Sequence, residues 1–131
     1  MPKGHIRDPG LLCHLLNIHS VDDLKSHPKY GQIWEAFVVE QILKGLQNNL
    51  VTHQYYYYRT RHQAEIDLIL QGRFGLLPVE IKASSSTPRN QLRTLEAFVD
   101  ANGCPFGIII NNGDEIFMLS EKIIQVPAIY L

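Results

Sequence analysis

The sequence predicts an α/β fold, a mixed central sheet flanked by helices. Three observations predict it. A helical apolar period occupies Gln32 to Asn48, the period then changes to three strand-like segments between His53 and Ala83, and a second helical stripe leads into the continuous apolar run Phe106-Gly107-Ile108-Ile109-Ile110. A meander followed by a crossover helix and a strand buried on both faces requires antiparallel and parallel pairing in one sheet.

The elements follow in order. Asp8 can cap a short helix that Pro9 opens, since the first helical position needs no amide donor. Ser20 and Asp23 have the spacing of a capping box for a second short helix, and His27 to Gly31 is expected as a loop. The first long helix carries Ile33, Trp34, Phe37, Val38, Val39, Ile42, Leu43 and Leu46, more than half its circumference, so most of it should be buried, with Glu40 and Lys44 on its polar side. His53 to Thr60 has four consecutive tyrosines and a strand composition. Arg61 to Ala64 is a turn without the usual Gly or Asn, and Glu65 to Leu70 is a second strand. Gln71 to Gly75 turns into Leu76 to Ala83, where Pro78 is expected at a strand start or bulge. Thr87 caps and Pro88 opens the second long helix, ended by Asn102-Gly103. Glu115 to Leu119 and Ile123 to Val126 are the last extended pieces.

The 131 residues are expected to form a single domain. Lys plus Arg number 12 against 13 Asp plus Glu, which excludes a globally basic nucleic-acid coat but permits a local basic groove. Cys13 and Cys104 have no disulfide or zinc spacing, and His5, His14, His19, His27, His53 and His62 form no paired zinc ligands. With no signal-type apolar core and no run near the roughly 20 residues of a membrane span, a soluble cytoplasmic protein with no membrane partner is expected. No Gly-x-x-x-x-Gly-Lys-Ser/Thr stretch occurs, so this chain is not expected to bind a nucleotide through such a loop.

Three charged positions contradict their surroundings. Glu35 has Val38, Val39, Ile42 and Leu46 as helical neighbours, so its carboxylate projects from an apolar side and needs a cation, a metal or dense hydrogen bonding. Alternation places Glu65, Asp67 and Ile69 on one strand face and Ile66, Leu68 and Leu70 on the other. Glu80 and Lys82 share a face of the next strand, where they can either neutralise one another or act beside Asp67. A hairpin pairing these strands would set Asp67 against Glu80. Two carboxylates with waters suit magnesium, and Lys82 could orient a water and stabilise phosphoryl charge. Glu35 would add a third carboxylate from the packed helix.

This set resembles the PD-(D/E)XK phosphodiesterase superfamily, with Asp67 as the strand acid, Glu80 and Lys82 as the Glu-x-Lys pair, and Glu35 as the helix acid. The resemblance implies a restriction-endonuclease-like core and a nuclease using magnesium or manganese on DNA. Asp67, Glu80 and Glu35 would bind metal, Lys82 would position the attacking water, and Glu65 is a lesser candidate. Gln91 stands where members carry a supporting polar residue. The strings Asp8-Pro9-Gly10-Leu11-Leu12, Gly31-Gln32-Ile33-Trp34-Glu35, Tyr57-Tyr58-Arg59, Glu65-Ile66-Asp67 and Pro78-Val79-Glu80-Ile81-Lys82 resemble, over nearly the whole chain, the uncharacterised C-terminal domain of prokaryotic AAA-type ATPases. That resemblance implies that the chain is the C-terminal part of a larger protein whose ATPase module lies outside this sequence. Arg59, Arg61, Arg73, Arg89 and Arg93 are expected around the site, Arg59 and Arg61 with Gln91 as substrate-binding residues. Tyr55 to Tyr58 can stack on bases, but core and cross-strand packing is the expected role. The rival functional reading is a non-catalytic DNA-binding or partner-recognition domain with an idle acidic site. An oligomerisation domain is the third.

Overall fold

The computed structural model describes residues 6–61 and 64–131. Two short helices, α1 (Pro9–Leu15) and α2 (Val21–Ser26), precede the long helix α3 (Tyr30–Asn48). The strands β1 (His53–Arg59), β2 (Glu65–Gly72) and β3 (Gly75–Ile81) form the meander. Helix α4 (Arg89–Asn102) crosses to β4 (Gly107–Asn111), followed by β5 (Phe117–Met118), β6 (Ile123–Pro127) and a 3₁₀ turn at Ala128–Tyr130. The six strands lie in the order β1-β2-β3-β4-β6-β5, with β3, β4 and β6 parallel and the other pairs antiparallel. The expected mixed sheet is therefore present. Among the described residues, no helix is long and apolar enough to cross a membrane.

The helix caps follow from local chemistry. The Asp8 carboxylate accepts from the Leu11 amide at 3.0 Å, and the Ser20 hydroxyl accepts from the Asp23 amide at 3.0 Å. Helix α4 differs from expectation. Pro88 is its cap residue without a side-chain hydrogen bond, and the Thr87 hydroxyl has no partner among the described residues. At its other end Gly103 takes φ 62°, the left-handed conformation that glycine adopts without strain.

The sheet is covered on both faces. On one, Val38, Val39 and Leu43 of α3 pack on Leu68, Leu70, Val79, Ile81 and Ile110. On the other, Leu95, Phe98 and Val99 of α4 pack on Ile66, Ile69, Ile109 and Ile123. Ile66 and Ile69 thus share the α4 side, against simple alternation. The pairing explains it: Tyr56 faces Ile69 while Tyr58 faces Ile66, so β2 carries one extra residue in a bulge at Asp67–Leu68. The expectation that Ile66 and Leu68 share a face is corrected by this bulge.

Other expectations shift for identifiable reasons. Pro78 stands inside β3 opposite Ile69, and is tolerated because pairing with β4 begins only at Val79. Tyr30 and Gly31 belong to α3 rather than to a loop, and the fifth strand shrinks to Phe117–Met118. The turn expected at Arg61 to Ala64 has residues 62 and 63 outside the described residues. Its flanks are closed, with the Thr60 amide donating to the Ala64 carbonyl at 2.9 Å and the Ala64 amide to the Thr60 hydroxyl at 3.1 Å. Glu40 is not on a polar side. It is buried, and its carboxylate accepts from Arg7 Nε at 2.7 Å, a partner 33 residues away that the helix period does not reveal. The tyrosines are not core either. β1 is an edge strand, and Tyr55 to Tyr58 are all exposed. Tyr58 rests edge-on against Phe98 with ring centroids 4.9 Å apart.

Candidate functional site

The ladder between β2 and β3 runs from Gly72–Gly75 to Leu68–Val79 and stops there. Beyond it the strands part, and the gap is filled by polar side chains. Asp67 stands at the bulge where an extra residue re-aims the chain, as bulges beside active sites commonly do. Its Oδ2 accepts from the Ile81 amide at 2.7 Å. Side chains on β3 alternate, so Val79 and Ile81 enter the α3 core while Glu80 turns toward α4. Lys82 follows β3, its amide held by the Ile110 carbonyl at 2.8 Å, and its ammonium lies 2.9 Å from Glu80 Oε1.

These groups open onto one cavity of about 340 Å³. Glu35 from α3, Ala64 just before β2, Glu65 and Asp67 from its start, Glu80 from β3, Lys82 just past it, and Asn90, Gln91 and Thr94 from the first turns of α4 line it. Glu35, Asp67, Glu80, Lys82 and Gln91, singled out from the sequence, are thus brought together by two helices and two strands. Asn90 and Thr94 were missed. The available signal was the helical spacing: Thr94 stands three residues after Gln91 and four after Asn90, so it neighbours both on α4.

The electrostatics are those of crowded carboxylates. Burial and then the charge of Asp67 push the Glu80 carboxyl up from 4.5 to about 7, against the lowering influence of Lys82 and of a hydrogen bond from the Asp67 backbone. Among the described residues, no three His, Cys, Asp or Glu side chains are gathered closely enough to hold a metal ion. Asp67 and Glu80 act on one another electrostatically, and Glu35 and Glu65 line the same cavity. The Asp67–Glu80 pair offers oxygen donors only, the chemistry a hard divalent cation takes, and such a cation would offset the part of the Glu80 shift that comes from Asp67. The Gln91 amide oxygen is buried without a hydrogen-bond partner among the described residues. A buried acceptor in that condition is suited to a cation or a donor entering the cavity.

The arginines divide. Arg59 Nε lies 3.0 Å from Glu65 Oε1, so it borders the cavity with its charge already matched. Arg61 is exposed just past β1 and does not line the cavity. Arg89 and Arg93 stand on α4 beside Asn90, Gln91 and Thr94. Arg73 is corrected: it occupies the β2–β3 turn at the far end of the ladder from Asp67 and Glu80.

Comparison with known proteins places the chain in a family. Residues 30–130 match the domain of unknown function DUF4143. The chain belongs to this family. The matched segment begins with α3 and so contains every residue that lines the cavity. The chain is also similar to an uncharacterised protein of Mycobacterium bovis and one of Mycobacterium tuberculosis, each 38% identical over 127 residues. The alignment covers 97% of this chain but 27% of either relative, so the chain spans about a quarter of their length.

Proposed function

We propose that this family member has a PD-(D/E)XK-type, restriction-endonuclease-like core and hydrolyses phosphodiester bonds of DNA with magnesium or manganese. One observation carries the reading. The acid from the long helix, the acid at the bulge and the Glu-x-Lys pair, although spread over 48 positions of the chain, line one polar cavity. Asp67 and Glu80 are the residues that would hold the cation, with Glu35 acting directly or through water. Such an ion supplies a more acidic water and offsets charge on the leaving oxygen. Lys82, half-buried against Glu80, positions the attacking water and stabilises charge growing on the phosphoryl oxygens. The Gln91 amide orients groups entering the cavity from the α4 side. The coverage of only about a quarter of each relative leaves room for further domains there, and we place this chain as the C-terminal part of an AAA-type ATPase on the sequence resemblance alone.

A second reading is favoured by one contact. The Lys82 ammonium already lies 2.9 Å from Glu80, a contact expected of an idle site in a non-catalytic DNA-binding or partner-recognition domain. Magnesium titration followed by amide NMR separates the two. The catalytic reading expects millimolar magnesium to shift the amides of Asp67, Glu80 and Ile81. Unchanged amides there, with DNA binding intact, support the second reading.

A further inference from the structure

The edge strand β1 carries a feature that the acidic cavity does not use. Tyr55 and Tyr57, two residues apart on a strand, face the same side, while Tyr56 faces the other. Tyr58 also lies on that other side, against Phe98 of α4. Tyr55 and Tyr57 are 41% and 51% exposed, unusual for large aromatic rings in a strand. Both lie within electrostatic reach of the Arg7 guanidinium, which is 61% exposed after binding Glu40. Tyr57 lies equally within reach of Glu35, a wall of the cavity. At its end, β1 reaches the cavity rim through the Arg59–Glu65 pair.

We propose that Tyr55 and Tyr57 form a stacking track for single-stranded DNA that leads into the acidic cavity. The spacing selects the strand state. Two alternate strand residues stand about 6.6 Å apart. That is nearly double the rise of about 3.4 Å between stacked nucleotides of a duplex strand. Successive bases can meet both rings only when pulled apart, and duplex bases hide the faces that stacking needs. Rows of exposed aromatic rings are an ordinary means of holding single strands without sequence preference. Glu40 does not oppose this, because Arg7 neutralises it; Glu35 is the acid that a strand would approach at the cavity mouth. The destination of the strand rests on the nuclease reading, while its binding does not.

The test measures fluorescence anisotropy of a labelled oligothymidylate and a labelled duplex of equal length, with the full chain in EDTA. Tyr55→Leu with Tyr57→Leu should weaken single-strand binding at least about tenfold and leave duplex binding unchanged. Tyr55→Phe with Tyr57→Phe should keep wild-type affinity, because the rings remain. Tyr56→Leu, on the opposite face, should have no effect. Full single-strand affinity in the double Leu variant, with an unchanged circular dichroism spectrum, overturns the proposal. So does a wild-type chain that dimerises through this edge and loses the dimer in the double Leu variant. Cleavage is scored separately on the same variants with magnesium in place of EDTA. Tyrosine-dependent binding without cleavage upholds the track and defeats the nuclease reading, whereas cleavage with tyrosine-independent binding does the reverse.

Discussion

Asp67 Oδ2 accepts the backbone amide of Ile81 at 2.7 Å, so the strand acid at the bulge is fastened to the strand that carries Glu80 and Lys82. One contact thereby serves two purposes. It closes the sheet where the β2–β3 ladder ends at Leu68–Val79, and it fixes the distance between the two carboxylates. A structural and a chemical role for Asp67 can be separated by substitution.

Asp67→Ala removes the acceptor and leaves the Ile81 amide unsatisfied, at a cost of about 1–3 kcal/mol. Asp67→Asn keeps an oxygen in place and should cost less than half of that, while still abolishing cleavage. Urea unfolding of both variants beside a cleavage assay checks this. Wild-type stability in Asp67→Ala would show that the contact contributes nothing to folding.

The raised Glu80 carboxyl sets the sign of a pH dependence. Folded Glu80 holds its proton up to about 7, and the ordinary value is 4.5, so the folded state binds more protons between these limits. Its contribution to stability is fully present below pH 4.5 and is lost as the pH rises through about 7. In EDTA the wild type should therefore lose up to a few kcal/mol across this window relative to Glu80→Gln. Parallel stability profiles for the two proteins would contradict the shift.

Arg7 and Glu40 form a pair with one buried member and one exposed one. Arg7→Ala strands the Glu40 carboxylate and should cost about 1–2 kcal/mol, less than a fully buried pair because solvent reaches the guanidinium. Arg7→Ala with Glu40→Gln should recover most of the loss. The urea midpoints of the three variants measure it, and additive losses would deny the coupling.

Gly107 starts β4 directly beneath α4. A Cβ there would come within 2.9 Å of Ile123 Cδ1, 3.1 Å of Leu95 Cγ and 3.2 Å of Val99 Cγ2, all in the packed core. Gly107→Ala should destabilise the protein by about 1–3 kcal/mol through overpacking. A thermal midpoint unchanged from wild type would show that α4 can withdraw.

Much of the fold was legible because it is locally encoded. Asp8, Ser20 and Gly103 mark helix ends through their own backbone chemistry, and the apolar stripes of α3 and α4 set their buried sides. The site was legible because Glu35, Asp67 and Glu80 sit among apolar neighbours, a costly placement that invites a reason. What escaped depends on non-local partners. The bulge at Asp67–Leu68 leaves no trace in Leu68-Ile69-Leu70, since all three residues are apolar and either register buries them. Glu40 looked exposed because Arg7 is 33 residues away. The tyrosines have the composition of an inner strand, and only the strand order puts them on an edge.

Cleavage of plasmid and single-stranded DNA by the wild type and by Lys82→Ala with Asp67→Asn, each in magnesium, manganese or EDTA, tests the proposed chemistry most directly. The wild type should cut only with a divalent cation, and the double variant should fall to the EDTA level while remaining folded. Undiminished cutting by the double variant, or no cutting by the wild type under any cation, would contradict a nuclease centre at Glu35, Asp67, Glu80 and Lys82.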